Sequence, residues 1–93
     1  MISDEEYIDT LTLEVTDTMI EQNFELIKLI KLEKFEECAL KRDRVLKYLL
    51  DVARVVSKET GSKTQTINKH FKNINKHVYH ELLNKFYFKS IVQ

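Results

Sequence analysis

Proline is absent from the 93 residues, tryptophan is absent too, and glycine and cysteine occur once each. Tight turns between strands lean on Gly, Asn-Gly or Pro at set positions. None of these stands before Gly61, so a sheet-rich fold is excluded and an all-α chain is expected. A single cysteine closes no internal disulfide, so nothing calls for an oxidising compartment. No apolar run approaches the ~18 residues of a membrane span. The opening MISDEEYIDT is acidic where a secretory leader is basic and then apolar. What is present suits one small soluble domain of a reducing cytoplasm: 43% hydrophobic and 32% charged residues, ordinary values for a folded chain.

Helix signals run along most of the chain. Ser3 with Glu6 fits a capping box, and Asp4, Glu5 and Glu6 suit the positive end of a helix dipole. Ile8, Leu11, Val15, Met19, Leu26, Leu29 and Ile30 then recur on a helical stripe. Thr10 to Thr16 also alternates with period two and is rich in β-branched residues, a strand signature. A lone strand would have no partner, so helix is preferred there. Phe35, Cys38, Arg42, Val45, Leu49, Val52 and Val56 form a second stripe, widened by Ala39, Leu46, Leu50 and Ala53. That helix should run from about residue 35 to 59 and end at Gly61 after Lys58. After the polar stretch 61–66, Ile67, Phe71, Ile74, Val78 and Leu82 mark a third. The tail from Phe86 to Val92 is apolar enough to pack on the core or on a second subunit.

The net charge is zero, which argues against a uniformly basic nucleic-acid binder. The zero is nevertheless a cancellation. Residues 1–25 carry eight acids and no Lys or Arg, whereas residues 26–93 carry fifteen bases against seven acids. Either the acidic first helix packs beside the basic third, or opposite faces meet different partners.

Residues 35–49 carry a motif: Phe35-Glu36, the small pair Cys38-Ala39, Arg42-Asp43 and then Val45. It resembles the UVR domain, the short helical hairpin of excision-repair proteins and some protease components. The likeness covers about residues 20–50, with Leu26, Leu29 and Ile30 as the first arm's inner face. Cys38 stands where that family usually has Ala, and the corner Leu32-Glu-Lys34 has no residue that favours a turn. The resemblance implies protein docking through Phe35, Glu36, Cys38, Ala39, Arg42 and Asp43. The residues themselves also fit a plain hairpin closure. Phe35 would staple the incoming arm by burying its ring, and Arg42 would lay its stem on the stripe and pair with Glu36, Asp43 or a carboxylate across an interface.

Residues 61–74 look like the turn and recognition helix of a helix-turn-helix DNA-binding domain, with Gly61 at the turn and Phe71 and Ile74 buried. That likeness implies contacts to phosphates and base edges from Thr64, Gln65, Asn68, Lys69, Lys72, Asn73 and Lys76. Chemistry of other kinds finds little support. His77 and His80 are three apart, but His70 lies two turns from His77, about 10.5 Å, and no second cysteine completes a metal site. Cys38 lacks a local activating group, and the acidic pairs Glu5/Asp9 and Asp17/Glu21 read as a solvated face. No phosphate loop or nucleophile–base grouping is present, so neither an enzyme nor a bound cofactor is expected.

The expectation is a single all-α domain over residues 1–93. An antiparallel hairpin spans 4–59, and a basic third helix with its apolar tail spans 64–93. Its expected role is that of a non-enzymatic adaptor or modulator that binds another protein through the hairpin and the acidic first helix. A DNA-binding regulator and a homo-oligomeric scaffold are the alternatives. Helices of about 25 residues and the apolar tail suggest a homodimer.

Overall fold

A computed structural model describes residues 4–88 and shows an all-α bundle. Helix α1 spans Asp4–Lys31, α2 spans Phe35–Thr60 and α3 spans Thr64–Leu83, followed by a π-helical stretch at Asn84–Phe88. All three helices pack on one another, and the short connections make the chain run up, down and up. The expected cap at Ser3 and the tail beyond Phe88 lie outside the described residues, as do the side chains of Asp4, Glu5 and Ile8.

The ambiguous run at Thr10–Thr16 is helical. Helical placement buries Val15 and half-buries Leu11 while leaving Leu13 71% exposed, a split that period two could not produce. Thr16 Oγ1 donates to the Thr12 carbonyl at 2.6 Å, and Thr18 Oγ1 donates to that of Glu14. These back-bonds let the hydroxyls sit within a helix.

The two corners are built differently. At the first, the Glu33 N–H donates to the Ile30 carbonyl and the Lys34 N–H to that of Leu29, both at 3.0 Å. These are the paired bonds of a Schellman cap. The left-handed residue that closes it is Glu33, at φ 58°, a place where glycine is usual. At the second corner Gly61 takes that role, at φ 77°, with its N–H donating to the Ser57 carbonyl at 2.8 Å. The loop there is only 61–63, because Thr64, Gln65 and Thr66 already belong to α3.

The core gathers at the Gly61 end. Val15 and Met19 of α1, Val45, Leu49, Ala53 and Val56 of α2, and Ile67 and Phe71 of α3 form one buried cluster. Four of these, Leu49, Ala53, Val56 and Phe71, are wholly shielded. The molecule measures 50 × 25 × 16 Å with a radius of gyration of 15.0 Å, against about 12 Å for a compact chain of this length. An elongated bundle of this kind leaves much of its surface unburied.

The acidic first helix does pack beside α3. What crosses that seam is a pair of amides: Asn23 Nδ2 donates to Asn75 Oδ1 at 2.7 Å and to the Met19 carbonyl at 2.8 Å. Asn23 is only 2% exposed. The α1–α2 seam carries the ion pair of Glu25 with Lys41. The hydrogen bond from Lys41, and then its charge, holds the Glu25 carboxyl below its ordinary value; slight desolvation opposes this, and Lys28 adds to it.

Candidate functional site

Towards the other end, between the first half of α2 and the second half of α3, the helices leave a groove of about 690 Å³. Its floor is mostly apolar, made by Leu26 and Ile30 of α1 with Ala39 and Leu46 of α2. Phe35 stands at its corner end. Arg42 lines the α2 wall, while Lys72, Lys76 and Tyr79 line the α3 wall, and the Asn23–Asn75 pair closes the floor between α1 and α3. No Asp or Glu is among its lining residues.

Four of the residues of the UVR-like segment therefore share one cavity: Phe35, Cys38, Ala39 and Arg42. Glu36 and Asp43 are exposed on α2 but do not line it. Phe35 corrects the expectation of a staple, because its ring is 63% exposed and is not buried against the incoming arm. The Schellman turn that ends α1 takes over the work of closing the hairpin. The half-buried Cys38 places its thiol 3.9 Å from the Leu26 carbonyl, where a small side chain lets α1 and α2 approach. Arg42 makes no ion pair among the described residues, with Glu36, Asp43 or any other acid.

The helix-turn-helix set divides around α3. Lys72 and Lys76 face the groove. Gln65 and Lys69 are exposed without lining it, and Thr64 is half-buried. Asn68 is half-buried, and its Oδ1 is shielded from solvent without a hydrogen-bond partner. Asn73 lies on a different face, lining a shallower hollow with His70 and His77. His80 instead meets the Tyr79 ring edge-on at 5.6 Å. Among the described residues, no three His, Cys, Asp or Glu side chains are grouped to hold a metal ion.

Sequence reasoning passed over Asn23, Asn75 and Tyr79. Asn23 had a signal: it stands four residues after Met19 and three before Leu26, inside the apolar stripe, where a polar residue must find a partner. A second surface runs along the outside of α1. There Leu13, Ile20 and Phe24 are exposed, with Phe86 edge-on to Phe24 at 5.1 Å and the Lys28 ammonium 5.0 Å from the Phe24 ring. No helix among the described residues is long and apolar enough to cross a membrane. Compared with known proteins, the chain matches no family model, no curated protein and no solved structure.

Proposed function

We propose that this chain is a non-enzymatic adaptor or modulator that docks another protein through its UVR-like hairpin. The observation that carries the reading is the groove. Phe35, Cys38, Ala39 and Arg42, four of the six residues that the UVR resemblance marks for docking, line it together over a mostly apolar floor. An open cleft with an exposed aromatic at its mouth has the composition of an interface core, in which aromatic and Arg side chains carry most of the binding. The acidic first helix contributes the floor through Leu26 and Ile30 and offers its outer face as a second contact. In a reducing cytoplasm Cys38 stays a thiol and serves as a small lining residue.

Capture of the partner from extract of the source cells tests the reading. Ala39→Met and Phe35→Ala should each deplete the captured protein while circular dichroism stays helical, in nuclease-treated and untreated extract alike. Capture unaffected by both substitutions sinks docking through this groove. The DNA-binding reading draws on the exposed Lys69, Lys72 and Lys76. It requires retention of a labelled duplex at ~150 mM salt, weakened by Lys69→Ala and Lys72→Ala alike. The homodimeric scaffold draws on the outer stripe of Leu13, Ile20 and Phe24. It requires a molecular mass by light scattering that doubles with concentration.

A further inference from the structure

Resting on the docking reading, the geometry points to one class of occupant: we infer that the groove receives an acidic amphipathic helix of another protein. The first support is charge. Arg42 stands on one wall and Lys72 and Lys76 on the other, with no acid lining the space between them. None of the three makes an ion pair with a described residue. Cations of one sign around a low-dielectric floor focus a positive field into the cleft. The second support is shape. From Phe35 to Leu46 the α2 wall rises about 16 Å, three helical turns. A helix anchored at i, i+4 and i+7, about 10.5 Å from first anchor to last, fits within that length. Its apolar stripe would lie on Leu26, Ile30 and Leu46, and Ala39 would let its backbone come close. Acids flanking that stripe on both sides would meet Arg42 across one rim and the two lysines across the other.

Other occupants fit worse. A phosphodiester backbone would satisfy the cations but would lay a charged chain over an apolar floor, losing hydration without gaining apolar burial. A second copy could offer the outer face of α1, where Leu13, Ile20 and Phe24 run beside Glu14, Asp17 and Glu21. That contact joins unlike surfaces and so adds copies until a ring closes or a fibre grows. It would also carry Lys28, which sits over the Phe24 ring, into a cationic groove.

The test uses the full chain and a fluorescein-labelled peptide of ~18 residues, about 27 Å of helix. The peptide carries Leu or Phe at i, i+4 and i+7, with Glu on both flanks. A control peptide carries Lys in place of every Glu. By fluorescence anisotropy at ~150 mM salt the Glu peptide should bind and the Lys peptide should not. Lys72→Glu, Lys76→Glu and Arg42→Glu should each weaken the Glu peptide about tenfold. Lys69→Glu, the same charge change on α3 outside the groove, should alter it less than about twofold. All four sites are exposed, so these variants keep their fold. Equal binding of the two peptides overturns the inference, as does a Lys69→Glu effect matching that of Lys72→Glu. Competition by an oligonucleotide that displaces the peptide, or self-association that Ala39→Met abolishes, also overturns it. If capture from extract depends on Ala39 while the Glu peptide fails to bind, protein docking stands and only the acidic helix is lost.

Discussion

The two ends of the bundle are built from the same three helices and behave oppositely. At the Gly61 end Val56 and Phe71 are completely shielded and Ile67 nearly so. At the Glu33 end Leu32 and Phe35 are 64% and 63% exposed, and the space between α2 and α3 is open. The difference lies in what faces α2. Near Gly61 it meets Phe71 and Ile67, whereas nearer the first corner α3 presents Lys72, Asn75, Lys76 and Tyr79. Long cationic side chains keep their heads in water, so they line a cleft where Leu or Phe would have filled one. One end of the helices supplies stability, and the other is left available.

Paired truncations of phenylalanine separate the two ends most directly. Phe71→Ala should cost about 3–5 kcal/mol, a large part of the roughly 5–10 kcal/mol that holds a domain of this size. Phe35→Ala should shift the urea midpoint by less than about 0.5 kcal/mol equivalent. Equal losses at the two sites would mean that Phe35 belongs to the core. Next in size, Asn23→Ala strands the Asn75 carbonyl oxygen at the α1–α3 seam and should cost about 1–3 kcal/mol. An unfolding midpoint that does not move would show that the amide pair adds nothing to stability.

The corners respond in opposite directions. Glu33→Gly removes a side chain from a left-handed backbone and should raise stability by up to about 1 kcal/mol. Gly61→Ala should lower it by about the same amount, although a Cβ there would touch nothing within 4 Å. The smallest effect concerns Glu25. Its carboxyl is held low in the folded state by Lys41, so its stabilising contribution is present above the unfolded carboxylate value and is lost as pH falls through the folded one. Lys41→Ala should return the Glu25 titration towards the ordinary value, read by NMR, with little change in melting because the Glu25 carboxylate is exposed.

Much of the frame was legible beforehand, and the reasons are local. The expected second helix, 35 to 59, agrees with Phe35–Thr60 because its stripe is regular and Gly61 is the one residue suited to end it. Ile67 and Phe71 were readable as core for the same reason. The exposure of Phe35 was not readable, since its position on the stripe says nothing of where α3 runs. Nor was the turn at Glu33, whose backbone satisfies its own carbonyls with no glycine to announce it. The groove joins side chains from three helices and from two segments that had suggested unrelated families. Arg42 was read against nearby acids, yet its neighbours across the cleft are Lys72 and Lys76.

The amide pair of Asn23 and Asn75 has a consequence for recognition as well as for packing. Apolar side chains tolerate sliding along a helix axis, but a buried amide loses its partner when it moves by a single turn. Asn75 lies between Lys72 and Lys76 on α3, so the lock that fixes α1 against α3 also fixes where those two side chains leave the backbone opposite the α2 wall. The spacing of these attachment points across the cleft is set during folding. For the docking proposed above, the helices would need no rearrangement, which would favour rapid rigid-body encounter. The proposed partner would be measured against a gauge that already exists.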